Sequence, residues 1–257
     1  MASDPQRKVV DISTIRHACW DCSLGQLCLP VSLSPDDVEQ VDDIVRRRRP
    51  MARGDHLYRA GDPFKSIYAV RAGALKTSTV SVDGVEQITG FHLPGELVGF
   101  DAINRGTHPC SAVALETTSV CEIPFEDLET LAARIPGLQR QLLRIMSKEI
   151  FQDQEMLHAV AKRTAEERLA IALLSYSDRY ARRGLSAKRF RLPMSRSDLS
   201  NYLGLAPETM SRLFRRFQDQ GLISSSGKEV VIEDVDELRR ISGQVAAKDE
   251  SYSGSTR

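Results

Sequence analysis

At 257 residues, 41% hydrophobic and 27% charged, the chain is long enough for two modest domains with their own apolar cores. Its 35 Lys and Arg balance 35 Asp and Glu, so total charge alone points to no class of partner. The first 18 residues, MASDPQRKVVDISTIRHA, lack the apolar stretch of about 7 to 15 residues of a signal peptide, and no run approaches the roughly 18 of a membrane span, which predicts a cytoplasmic protein without a membrane partner.

Five cysteines are present, and three of them fall in HACWDCSLGQLC, as a C-x2-C-x5-C cluster of Cys19, Cys22 and Cys28. In a reducing compartment, clustered cysteines serve as metal ligands or redox groups more often than as structural disulfides. An odd number would also leave one thiol over from any disulfide scheme.

From about Leu33 to Cys121 the chain breaks into short β-branched segments separated by glycine turns, including SIYAVRAGALKTSTVSVDGVEQITGF and SAVALETTSVCEIP, which predicts a β-sandwich or barrel. Asp83-Gly84 reads as a hairpin turn. The run Arg46 to Arg49 before Pro50 reads as a solvated helix C-terminus favoured by the helix dipole, with a nucleic-acid patch as the alternative.

Pro136 opens a stretch free of glycine and proline after Gly137, predicting a helix of roughly seven turns. Met146, Ile150, Asp153, Leu157 and Val160 recur at intervals of 4, 3, 4 and 3, the pattern of a two-stranded seam with one charge in it. The alternative is a helix packed on its own barrel. Thr164-x-x-Glu167 then forms a capping box that starts a helical domain. Residues 163–243 hold 15 Lys and Arg against 11 Asp and Glu, a mild basic excess that suits an anionic partner. The tail after Gly243 is small and polar and is expected to be disordered.

MSRSDLSNYLGLAPETMSRLFRRFQDQGLI, Met194 to Ile223, predicts two helices joined by a tight turn at Gly204, with Pro207 at the first position of the second. On that second helix Met210, Leu213, Phe214 and Phe217 share one face, and Glu208, Ser211, Arg212 and Arg215 share the other. A helix-turn-helix needs this division, because its recognition helix packs with one side and reads base edges with the other. Arg212 suits guanine O6 and N7, and Glu208 suits a cytosine amino group. The alternative is an ordinary i,i+4 ion pair on a packing helix. ISSSGKEVVIED adds the short hairpin of a winged version.

Barrel, long helix and winged helix-turn-helix in this order, with ITGFHLPGELVGFDAI, ALETTSVCEIPFEDL and PETMSRLFRRFQ, resemble the CRP/FNR superfamily of bacterial transcription regulators, and its FNR branch in particular. The resemblance implies an α+β fold: an N-terminal double-stranded β-helix (jelly-roll) sensor barrel, a long dimerisation helix and a C-terminal winged helix-turn-helix. It divides the chain into a cysteine-rich segment (1–32), barrel (33–135), dimerisation helix (136–163), DNA-binding domain (164–243) and tail (244–257). It implies an oxygen-responsive regulator, not an enzyme, that binds TTGAT-like palindromic DNA as a homodimer through Glu208, Ser211, Arg212 and Arg215 and contacts RNA polymerase. The cofactor it implies is an oxygen-labile [4Fe-4S] cluster on Cys19, Cys22, Cys28 and Cys121, whose loss weakens dimerisation and DNA binding. Cys121, in its VCEIP setting, matches the family's fourth ligand, whereas Cys110 reads as a buried small hydrophobe. Ala206 departs from the family, where a capping Thr or Ser is common.

Other readings use the same residues. Four cysteines suit a closed zinc site, and a thiol-disulfide switch needs no metal. Superfamily relatives bind a cyclic nucleotide with a GE-rich turn and an Arg-Ser-Ala segment; here the turn survives as PGELVGFD but Pro109-Cys110-Ser111-Ala112 lacks the Arg, which argues against that ligand. GLISSSGKE resembles a Walker A motif but has five residues between its glycines and Glu229 where Ser or Thr should be.

Overall fold

The computed structural model describes residues 19–243; the N-terminal 18 residues and the tail expected to be disordered lie outside them. A 3-10 turn, Cys19–Asp21, leads to helix α1, Pro35–Ile44. The strands are β1 (Arg46–Arg47), β2 (His56–Tyr58), β3 (Ser66–Ala72), β4 (Leu75–Val80), β5 (Glu86–His92), β6 (Leu97–Val98), β7 (Ser111–Ala114) and β8 (Ser119–Pro124). Helices α2 (Phe125–Arg134), α3 (Pro136–Lys162) and α4 (Ala165–Ala181) follow, then β9 (Arg189–Arg191), α5 (Arg196–Tyr202), α6 (Pro207–Asp219), β10 (Ile223–Ser226), β11 (Glu229–Ile232) and α7 (Val235–Ser242).

Strands β1 to β8 form two four-stranded antiparallel sheets, ordered β1-β8-β3-β6 and β2-β7-β4-β5, the jelly-roll expected from the resemblance. Side chains alternate across each strand, so Ile67 and Ala69 of β3 and Ile123 of β8 face one core cluster with Leu97, whereas Val70 and Val120 of the same strands face another with Leu57 and Leu75. The Asp83-Gly84 turn is the tip of the β4–β5 hairpin, where Gly84 adopts φ +78°.

Two local expectations are corrected. Strands do not begin at Leu33: Ser34 accepts a hydrogen bond from the Asp37 amide, Pro35 occupies the first turn, and Val38 and Val41 bury one face, so a capped helix forms first. Nor do Arg46 to Arg49 end that helix, which stops at Ile44. Arg46 and Arg47 pair as β1 with Glu122 and Cys121 of β8, and three of the run face carboxylates: Arg46 to Asp127 (3.8 Å), Arg47 to Asp42 (2.7 Å) and Arg48 to Glu122 (2.6 Å). Asp127 and Glu122 lie 81 and 74 residues from their partners, beyond the reach of a local pattern, whereas Asp42 is five residues from Arg47.

Helix α4 starts at the Thr164–Glu167 capping box. Its Leu169 and Leu173, both fully buried, share a core with Phe217, Val230 and Leu238 of the C-terminal domain and with Phe91 and Leu93 of the barrel. No helix among the described residues is long and apolar enough to cross a membrane.

Candidate metal centre and nucleic-acid interface

Residues 19–28 wind through successive tight turns. The Cys22 amide donates to Cys19 O, Gly25 to Cys22 O (2.9 Å), and Leu27 and Cys28 both to Leu24 O. Gly25 fits closely there, since a Cβ would lie 3.3 Å from Cys22 O and that carbonyl would have to give by a few tenths of an ångström. The segment is tied down on several sides. The Cys19 amide donates to Asp42 Oδ1 of α1 (3.1 Å), Gln141 of α3 donates to Cys28 O (3.4 Å), and Leu29 is 1% exposed.

This winding brings Cys19, Cys22 and Cys28 to the walls of one pocket, with Cys121 entering from β8 and Val41, Ala69 and Ile123 making the lining apolar. Cys110 lies elsewhere: it is buried and its thiol donates to Asp101 Oδ2 at 3.1 Å. Burial pushes the Cys28 thiol up to about 12 against the opposing Leu29 amide, and burial with Asp42 raises Cys19. Burial also raises Cys121, while Arg47 and Arg71 pull it down. Thiols held neutral by desolvation become good ligands only when a cation stabilises their anions. Among the described residues, no three His, Cys, Asp or Glu donors converge as a single-ion site requires. All four cysteines line the same pocket, and four thiolates are the usual ligation of an iron–sulfur cluster, so the donor set fits that group.

The second feature is the helix-turn-helix. Ser195 and Asp198 cap α5 reciprocally, Gly204 turns the chain at φ +63°, and Pro207 opens α6. Met210, Leu213, Phe214 and Phe217 are buried, whereas Glu208, Ser211, Arg212 and Arg215 are exposed on the opposite face. Among the described residues no ion pair joins Glu208 to Arg212, and both side chains are exposed. Strands β10 and β11 form the wing, with β9 beside them. Sequence reading missed Arg196, whose guanidinium lies 3.2 Å from the Phe214 ring centroid and donates to Gly227 O in the wing (3.3 Å). Its contacts with α6 and the wing are 18 and 31 residues away, and no local spacing signals them.

Residues 167–241 match the Crp-like helix-turn-helix domain family, and residues 48–135 match the cyclic nucleotide-binding domain family. The transcriptional activator protein Anr of Pseudomonas aeruginosa is 56% identical over 225 residues, 88% of this chain and 92% of that one. The fumarate and nitrate reduction regulatory protein of Escherichia coli K12 is 50% identical over 88% of this chain and 90% of its own. FixK2 from Bradyrhizobium japonicum superposes with a TM-score of 0.71 at 29% identity, over 80% of this chain and all of that structure. The chain belongs to the FNR branch of the CRP/FNR superfamily. It is a transcription regulator with a DNA-binding helix-turn-helix.

Within this FNR-type chain, α3 carries the residues of the expected seam. Ile150, Leu157 and Val160 are 56%, 68% and 37% exposed, Asp153 is exposed, and Met146 is half-buried. Leu143, 60% exposed, extends the row and was missed because the reading began at Met146. Leu143, Ile150 and Leu157 repeat every seven residues, as do Met146, Asp153 and Val160, giving the two lines of a heptad.

Helix α6 starts at Ala206 without a side-chain cap. Ala206→Thr is expected to stabilise the DNA-binding domain by about 1 kcal/mol, since the hydroxyl would accept an orphan amide of the first turn. Urea unfolding reads the shift, and an unchanged midpoint would refute it.

Proposed function

We propose that this regulator is oxygen-responsive, holding a [4Fe-4S] cluster on Cys19, Cys22, Cys28 and Cys121 and binding TTGAT-like palindromic DNA as a homodimer while the cluster is intact. The observation that carries the reading is the meeting of three cysteines from the N-terminal winding with one from β8, 93 residues beyond Cys28, at a single apolar pocket. When bound, the cluster supplies oxygen-sensitive iron–thiolate chemistry. The chain's own residues do the rest. Asp42, Gln141 and Leu29 hold the cysteine segment against α1, α3 and the barrel, the apolar walls limit water, and Arg47 and Arg71 lie where they favour negative charge at Cys121.

Dimerisation through the α3 heptad places two α6 helices for the two half-sites of a palindrome. Glu208, Ser211, Arg212 and Arg215 read the major groove, and the bound regulator contacts RNA polymerase. The barrel takes no cyclic nucleotide in this reading: the Glu96 carboxylate of its PGE turn is already gripped by Arg179 and Arg183, and buried Cys110 faces Asp101, an anion that repels phosphate.

Anaerobic purification followed by iron and acid-labile sulfide analysis tests the cofactor, with about four of each expected per chain. Zinc in place of iron would overturn it. On the DNA side, Arg212→Ala should weaken the specific site by about 1–3 kcal/mol and relax discrimination at one G·C pair. Equal weakening on every sequence would demote Arg212 to a backbone contact.

A further inference from the structure

The Pro94-Gly95-Glu96 turn touches two parts of the molecule that the proposed function must connect. On one side Gly95, at φ +88°, packs so closely on the cysteine segment that a Cβ would sit 2.8 Å from Leu27 Cβ. Leu27 directly precedes Cys28, and Gly95 itself lines the cysteine pocket. On the other side the Glu96 carboxylate receives Arg179 Nε (3.0 Å) and Nη2 (2.5 Å) from the last turn of α4, and Arg183 Nη2 (2.8 Å) from the turn just past its end. The same arginines also donate to backbone, Arg179 to Phe91 O of β5 (2.6 Å) and Arg183 to Pro94 O of the turn (2.8 Å).

The arrangement is well enclosed. The side chains of Glu96, Arg179 and Arg183 are 16%, 12% and 6% exposed, so water screens their charges little. Burial works against the Glu96 carboxylate, yet Arg179, Arg183 and the Leu93 amide together outweigh it and hold the group at about 2, charged at any physiological pH. Close by, Asn201 of α5 accepts from the Ile88 amide (2.7 Å) and donates to Glu86 O (2.8 Å), and Lys76 meets Asp198 (3.2 Å). The helix-turn-helix is therefore docked on strands β4 and β5 by directional bonds, and among these anchors of the described residues Glu96 lies in the turn that also contacts the cysteine segment.

We propose that Glu96 is a coupling residue, through which the packing of Leu27 on Gly95 is transmitted to Arg179 and Arg183 and so sets how firmly the DNA-binding domain is docked on the barrel. The proposal rests on the cluster reading above. A cluster that pins Cys22 and Cys28 fixes Leu27 between them; Leu27 fixes the turn, and the turn presents both carboxylate oxygens to the arginines. Released cysteines free Leu27, and the docking loosens. Two sites that bias one element are coupled reciprocally by the same free energy.

Amide hydrogen exchange on the full-length protein tests this, comparing anaerobic cluster-loaded with cluster-free wild type, Glu96→Gln and Glu96→Asp, with iron and sulfide measured on each. In wild type, loading should slow exchange of residues 86–93 and 179–183 by about tenfold, in the 5- to 150-fold range of ordinary coupling. Glu96→Gln, close in shape but uncharged, should load iron and yet shrink that difference below about twofold. Glu96→Asp should keep most of it. If Glu96→Gln fails to fold, Leu27→Ala decides, because it leaves every ion pair in place and should lose the same difference. Loaded wild type with no difference, or a variant retaining the full one, overturns the coupling while leaving the cluster standing. Wild type that takes up no iron and sulfide overturns both.

Discussion

In protein purified without oxygen, Cys121→Ser is expected to abolish iron retention and oxygen-responsive DNA binding, whereas Cys110→Ser leaves both nearly intact. The two sulfurs are eleven residues apart but occupy different surroundings. Cys121 stands on β8, opposite Arg47 of β1 and Ala69 of β3, and opens into the pocket of Cys19, Cys22 and Cys28. A serine hydroxyl there is a hard donor in place of a soft thiolate, poorly matched to iron–sulfur ligation, and it leaves three ligands where four are needed. Cys110 is 4% exposed and spends its thiol on Asp101, a hydrogen bond that serine reproduces. Its replacement should change stability by about 1 kcal/mol or less. Iron analysis and DNA binding with and without oxygen check both variants, and the reverse outcome would move the fourth ligand to Cys110.

Asp153→Ala should make the cluster-free protein dimerise and bind DNA in air. Asp153 occupies one line of the α3 heptad, between Met146 and Val160, and the exposed Leu143, Ile150 and Leu157 form the other line. Two-fold symmetry brings each copy's Asp153 toward the other, so two like charges partly leave water together and oppose association. Although Asp153 is exposed, partial desolvation by its neighbours, with Asp101 adding to it, already raises its carboxyl above the ordinary value within one chain. In the proposed switch the dimer would thereby be held near its threshold, because a cofactor shifts an equilibrium only by its difference in affinity for the two states. A methyl group removes the repulsion and completes the apolar line. Sedimentation of the aerobic variant should show dimer at concentrations where aerobic wild type is monomeric. An unchanged monomer would sink the seam or the role given to its charge.

Much of the architecture follows from local chemistry alone. The Thr164–Glu167 box, the Asp83-Gly84 hairpin, Pro207 at the start of α6 and Gly204 before it are each readable because capping, turn formation and φ preference depend on a few neighbouring residues. The division of α6 into a buried Met210–Phe217 face and an exposed Glu208–Arg215 face follows from the 3.6-residue period in the same way. The N-terminal cysteine spacing also announces ligand chemistry before any fold is known. Where the partner lies across the fold, local patterns carry no physical account of it. The family resemblance already favoured Cys121 over Cys110, and strand register gives the reason it lines the pocket, since β8 runs in the sheet that carries Ala69 and Arg47 while Cys110 leads into the other sheet. Packing of α4 on the barrel decided that Glu96, the acid of a nucleotide-type turn, grips two arginines more than eighty residues away. Contacts of that range depend on how the sheets and helices close on one another, and no periodicity along the chain encodes them.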